Sequence, residues 1–232
     1  MKTRKMLPFL LAFILAGCVP VMSLHPLYDD QHLVFEEKLL GTFTENTEDT
    51  NFTWEFTRAE EPNAYQLIYA GVSKKDPNVM KGFFEVHLVN LDNHFFLDVY
   101  PKEGPWGDSE GLNQTKWPWN SFFMLPVHTF IRVETFEPQL EILLTADDNL
   151  KKLLNADPNA VKHELLDSTP VLTASTQQLQ SFVLKFADNN VLFSDKHTLT
   201  RKTSEPIQDV NQPKTVKPDA NNVPSDANLI PL

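Results

Sequence analysis

One cysteine, Cys18, is the only thiol in the 232 residues, so no intrachain disulfide and no zinc–thiolate cluster can be built. Glycine is scarce as well, with seven in the whole chain, and no glycine-rich loop is present to cradle a phosphate. Basic residues are outnumbered, 20 Lys and Arg against 31 Asp and Glu, for a formal charge of −11. Such a body repels phosphate backbones, which argues against nucleic acid as a partner. No His-Glu-x-x-His or Gly-x-Ser-x-Gly pattern occurs, so the sequence names no metalloprotease or serine-hydrolase site. No apolar run reaches the roughly 20 residues that a membrane-spanning helix needs.

What the chain does have begins at its first residues. Lys2, Arg4 and Lys5 precede an apolar stretch from Met6 to Gly17, the basic and hydrophobic regions of a signal peptide. Cys18 follows Leu15, Ala16 and Gly17 directly, and "LAGC" at this place resembles the lipobox of bacterial lipoproteins. The resemblance implies that Leu15, Ala16 and Gly17 are read by the lipoprotein signal peptidase, and that Cys18 is lipidated and becomes the first mature residue. Two or three acyl chains, at about 0.8 kcal/mol per buried methylene, tether a protein to a membrane durably. Val19 after the cysteine implies sorting to the outer membrane, facing the periplasm, in a host with two membranes. Loss of Lys2, Arg4 and Lys5 would leave 17 basic residues against 31 acidic ones, a charge of −14.

The rest divides by composition. Residues 1–17 are the expected signal, 18–31 a tether, 32–202 a globular domain, and 203–232 a tail. The tail has five prolines and no aromatic residue, and it is expected to remain disordered or extended because it has too little apolar surface to offset its ordering entropy.

Within 32–202 the dominant pattern is alternation. Phe52, Trp54 and Phe56 fall on one face of "NFTWEFTR", and Tyr65, Leu67 and Tyr69 repeat the period in "AYQLIYAGV". "GFFEVHLVNLDNHFFLDVYP" predicts two strands around an Asp92-Asn93 hairpin turn, and "VHTFIRVETFEPQLEILLTA" a second hairpin near Glu137-Pro138. A short helix is predicted after Asp147 or Asp148, with Leu150, Leu153 and Leu154 on one side. A second follows Ser175, where Gln178 completes a capping box and Leu179, Phe182, Val183 and Phe186 form the apolar stripe. "VKHELL" and "PVLTA" predict a strand pair between the helices, and "KHTLTRK" a closing strand. The fold class is mainly β: an antiparallel meander forming a strongly curved sheet or a barrel, with two short helices.

Two further resemblances bear on this fold. "LLGTFTE" resembles the Gly-x-Trp motif of the lipocalins and the wider calycin superfamily, with Gly41 matching and Phe43 in place of the tryptophan. The resemblance implies a lipocalin-like barrel in which Arg201, on the last strand, stacks across Phe43. "SLHPLYDDQHLVFEEKLLGTF" and "LTASTQQLQSFVLKFADN" resemble segments of uncharacterised bacterial lipoproteins, which implies no activity.

Candidate functional residues are few. Glu85 and His87 share a strand face, as do His94 and Asp98, and such faces suit acid–base or metal chemistry. Alternation alone also makes them solvent-facing positions. His128, Arg132 and Glu134 either line a barrel interior, where His128 and Arg132 would contact a polar ligand group, or face outward with Ile131 and Val133 pointing in. Trp106, Trp117 and Trp119 crowd one long connection, as a ligand or partner contact or as a plug for the sheet. The expectation is a membrane-anchored envelope lipoprotein that binds an apolar or amphipathic small molecule without catalysis, cofactor or metal. The alternative is an assembly lipoprotein docking to another envelope protein through the tryptophan-rich connection.

Overall fold

The computed structural model describes residues 20–75, 79–102, 125–145, 147–189 and 191–202. They belong to one compact unit that ends at Lys202, and the tail 203–232 lies outside the described residues. In chain order the elements are β1 (Met22–Ser23), β2 (Leu33–Val34), a 3-10 turn (Glu37–Leu39), β3 (Gly41–Asn46), β4 (Thr50–Arg58), β5 (Ala64–Ser73), β6 (Val79–Leu91) and β7 (His94–Pro101). Then come β8 (Thr129–Thr135), β9 (Leu140–Thr145), α1 (Asp147–Ala156), β10 (His163–Leu166), β11 (Thr169–Leu172), α2 (Thr176–Lys185) and β12 (Phe193–Arg201).

The sheet closes. Strands β6, β5, β4, β3, β12, β9, β8 and β7 are hydrogen-bonded in that order, and β7 pairs back onto β6. All these pairings are antiparallel. The result is an eight-stranded barrel, without the two free edges that an open curved sheet would expose. Strand β2 adds to β6 through Leu33–Val89 and Val34–Leu88, continuing the line of β5. Local signals made these turns: Asp92 and Asn93 both hold positive φ, as a two-residue turn between twisted strands requires. Asp167 and Ser168 do the same between β10 and β11.

Register fixes which side chains point in. Phe43 faces Trp54, Trp54 faces Tyr69, Val86 faces Val99, and Ile131 faces Leu144. The inward set includes Phe43, Phe56, Tyr65, Leu67, Val86, Leu88, Leu97, Leu140, Ile142 and Leu199, all buried in one cluster. Each fully buried Leu or Phe contributes roughly 1.5–3 kcal/mol. Eight strands leave an interior about wide enough for such side chains to fill, or for one small ligand.

One end of the barrel is plugged. Leu39 of the 3-10 turn is fully buried there, and the Phe35 and Tyr65 rings stack at 4.5 Å. The guanidinium of Arg201 lies 4.5 Å from the centre of the Phe43 ring. It donates to the carbonyl of Leu40 at 2.6 Å and to that of Lys38. Gly41 has φ +121°, and a Cβ there would lie 2.6 Å from Arg201 Nη1, so only glycine lets the arginine cross. The contact of Arg201 with the Phe43 ring expected from the sequence is thus present.

A second apolar layer covers part of the outer wall. Leu150 and Leu154 of α1, and Leu179, Phe182 and Val183 of α2, pack against outward-facing Val89, Leu91, Phe96, Phe130 and Leu143. Gln178 Oε1 accepts the Ser175 N–H at 3.0 Å, as the capping box predicts. Residues 21–28, which the sequence pattern assigns to a tether, are integral to this layer. Val21 and Leu27 are buried, β1 runs parallel to β11, and Ser23 bridges to His128. The short segment Val21–Tyr28 is largely apolar but broken by Ser23, His25 and Pro26, so no periodic pattern announced its docking. No helix among the described residues is long and apolar enough to cross a membrane.

Candidate functional site

At the end of the barrel opposite the 3-10 turn, the inward-facing side chains are only half-buried. Phe52, Tyr69 and Phe84 are there, with Trp54 just below them. Phe52 and Tyr69 stack at 5.6 Å, and Tyr69 meets Trp54 edge-on at 4.8 Å. The indole Nε1 of Trp54 is buried and has no hydrogen-bond partner among the described residues. An unpaired buried donor costs about 1–3 kcal/mol unless something accepts its proton.

Three ionisable side chains share this end. Glu45 lies two residues beyond Phe43 on β3, while His197 and Asp195 lie two and four residues before Leu199 on β12. Parity points all of them inward. His197 Nδ1 lies 3.0 Å from both oxygens of Glu45, and its Nε2 lies 3.2 Å from Asp195 Oδ2 without hydrogen-bond alignment. Burial works against protonating His197, but the hydrogen bond to Glu45 and the negative charges of Glu45 and Asp195 outweigh it. The imidazole is held above its ordinary range. Burial, with Glu45 adding to it, pushes the Tyr69 phenol up to about 12, so it stays a neutral donor. The arrangement sets aromatic rings beside a few polar groups, the residue types that line small-molecule sites.

Comparison of the chain with protein-family models, curated proteins and solved structures finds no match. Function therefore has to be argued from these side chains alone.

The residues singled out from sequence fall elsewhere. His128 and Arg132 do not line the interior. Phe130 between them packs in the outer layer, and Ile131 and Val133 take the inward positions. His128 Nδ1 donates to Asp98 Oδ1 at 2.7 Å on the outer wall. Asp98 and His87 do face outward, yet they are not solvent-facing: both are buried beneath residues 21–28. Asp98 Oδ2 accepts the Leu27 N–H at 2.6 Å, and the Tyr28 ring stacks on His87 at 4.0 Å. Burial, then the charge of Asp98, pushes the Tyr28 phenol up to about 12. His94 pairs instead with Asp188 at 2.8 Å, which lowers that carboxyl's pKa. Leu15, Ala16, Gly17, Cys18, Trp106, Trp117 and Trp119 lie outside the described residues.

Glu45, Asp195 and His197 escaped notice in the sequence although a signal existed. In "GTFTEN" the face carrying Gly41 and Phe43 also carries Glu45. In "DKHTLTR" the face carrying Leu199 and Arg201 also carries His197 and Asp195. A charged residue on the apolar parity of a strand is the pattern that finds them.

Proposed function

We propose that this chain is a lipid-anchored envelope protein whose barrel binds one small apolar or amphipathic molecule at its half-exposed end, without catalysis. The observation that carries the proposal is the inward-facing group of Phe52, Trp54, Tyr69 and Phe84 at the same barrel end as Glu45, His197 and Asp195, with the Trp54 indole N–H unpaired among the described residues. Rings accept the apolar body of a ligand. Glu45 and Asp195 accept hydrogen bonds from its polar group, and the Trp54 N–H seeks an acceptor on it. Anchoring at Cys18 rests on the lipobox-like "LAGC", and the same reading places the protein in a bacterial envelope.

The test is native mass spectrometry of the full chain purified gently from its own envelope, together with titration by the apolar fluorophore N-phenyl-1-naphthylamine. A reproducible bound mass, and probe binding weakened in Glu45→Gln and Trp54→Leu, is the expected result. A well-folded protein that carries nothing and gives no saturable probe signal would refute the proposal.

A further inference from the structure

The outer wall carries a polar cluster that small-molecule binding in the barrel does not use. Glu85 and His87 face outward from β6 because Phe84, Val86 and Leu88 take the inward positions. His87 lies opposite Ala64 on β5. The turn before Ala64 folds back tightly: Ala59 N–H donates to the carbonyl of Ala64 at 3.0 Å, and Ala64 N–H to that of Glu61 at 3.4 Å. That turn brings Glu61 over the same spot. One ligand atom from each of Glu61, Glu85 and His87 lies within 4.8 Å of the others.

The imidazole supplies an independent pointer to a ligand. The His87 side chain is 5% exposed, and its Nε2 is aimed at Glu61 Oε2 from 4.0 Å, beyond hydrogen-bond reach. No hydrogen bond to His87 exists among the described residues. Tyr28 stacked against the ring fixes its plane. The imidazole and the carboxylate thus face each other without bonding, and an ion between them completes the contact.

We propose that Glu61, Glu85 and His87 form a binding site for a first-row divalent metal ion of the Zn²⁺ type. One imidazole and two carboxylates suit such an ion better than Ca²⁺, which takes oxygen ligands throughout. A tetrahedral ion with bonds of about 2.0–2.2 Å sets its ligand atoms roughly 3.4 Å apart, and water takes the fourth position. The cluster therefore has to contract, and two of its members are free to do so. Glu61 is 66% exposed and sits on a turn. Glu85 is held by the Lys102 ammonium 2.7 Å from its Oε2, on a side chain that is itself half-exposed. Lys102 is thus a built-in competitor for the ion, and metal binding displaces it.

The experiment is calorimetric titration of Zn²⁺ into the tag-free, chelator-treated full chain and into two surface variants. Their folding is checked by circular dichroism. The expected result is one saturable equivalent, weakened about tenfold or more in Glu61→Gln and strengthened severalfold in Lys102→Met. Co²⁺ bound at the same stoichiometry should give a visible spectrum typical of nitrogen and oxygen ligands. Zn²⁺ binding that is equal in wild type, Glu61→Gln and Lys102→Met overturns the proposal. So does the absence of saturable binding below about 1 mM.

Discussion

Asp98 gives the sharpest test of how residues 21–28 are held. Its carboxylate is fully buried and accepts two hydrogen bonds, from Leu27 N–H at 2.6 Å and from His128 Nδ1 at 2.7 Å. A carboxylate only accepts, so Nδ1 carries the proton. Asp98→Ala leaves both donors buried and unpaired. Hydrogen bonds to a charged group are worth about 1.5–3 kcal/mol each, so the expected loss is about 4 kcal/mol. At roughly 2–4 °C per kcal/mol for a domain of this size, Tm should fall by about 8–16 °C. Asp98→Asn behaves differently. Its amide oxygen still accepts from Leu27 while its NH₂ needs an acceptor, and His128 supplies one by moving its proton to Nε2. The asparagine variant should therefore lose only about 1–2 kcal/mol. Urea unfolding with unchanged m-value measures the stabilities, and ¹⁵N chemical shifts of the His128 ring report the tautomer. Equal losses in the two variants, or a loss under about 1 kcal/mol in Asp98→Ala, would refute the reasoning.

Because His197 has a raised pKa in the fold, its ion pairs stabilise the protein fully below its unfolded value of about 6.5. That contribution disappears as pH rises through the higher folded value. Ring NMR should place its midpoint above 6.5 in wild type and lower in Glu45→Gln. An unchanged midpoint would separate the two residues. Cys18→Ala should leave unprocessed, unlipidated precursor in a bacterial host, and normal maturation of that variant would remove the anchor from the proposal.

Much of the barrel was legible in sequence because alternation is a local property. Trp54 and Phe56, then Tyr65 and Leu67, announce an inward face within a few residues, and Asp92-Asn93 announces its turn. Closure was not legible, since it depends on β12 meeting β3 through Thr200–Thr44 and Arg201–Phe43, some 156 residues apart. The outer layer left a fainter trace. Val89, Leu91 and Phe96 break the alternation around the Asp92-Asn93 turn by making both strand faces apolar, which is how a strand covered on two sides reads. That cover buries His87 and Asp98, and it comes from residues 21–28 and α2, distant in sequence. The same distance hid the candidate site, because Glu45 and His197 meet across 152 residues.

The docking of the first described residues has a geometric consequence. Pro20 lines a small cavity together with Thr129, Ile131, Leu144 and Thr145, beside the half-exposed end where β8 starts and β9 finishes. If Cys18 carries the lipid, only Val19 separates it from that wall, and a chain this short reaches about 10 Å at most. The leash would then be too short for the barrel to wander, and the half-exposed end would ride at the bilayer surface. A hydrophobic cargo would pass between leaflet and barrel without a journey through water, and the membrane itself would be its reservoir.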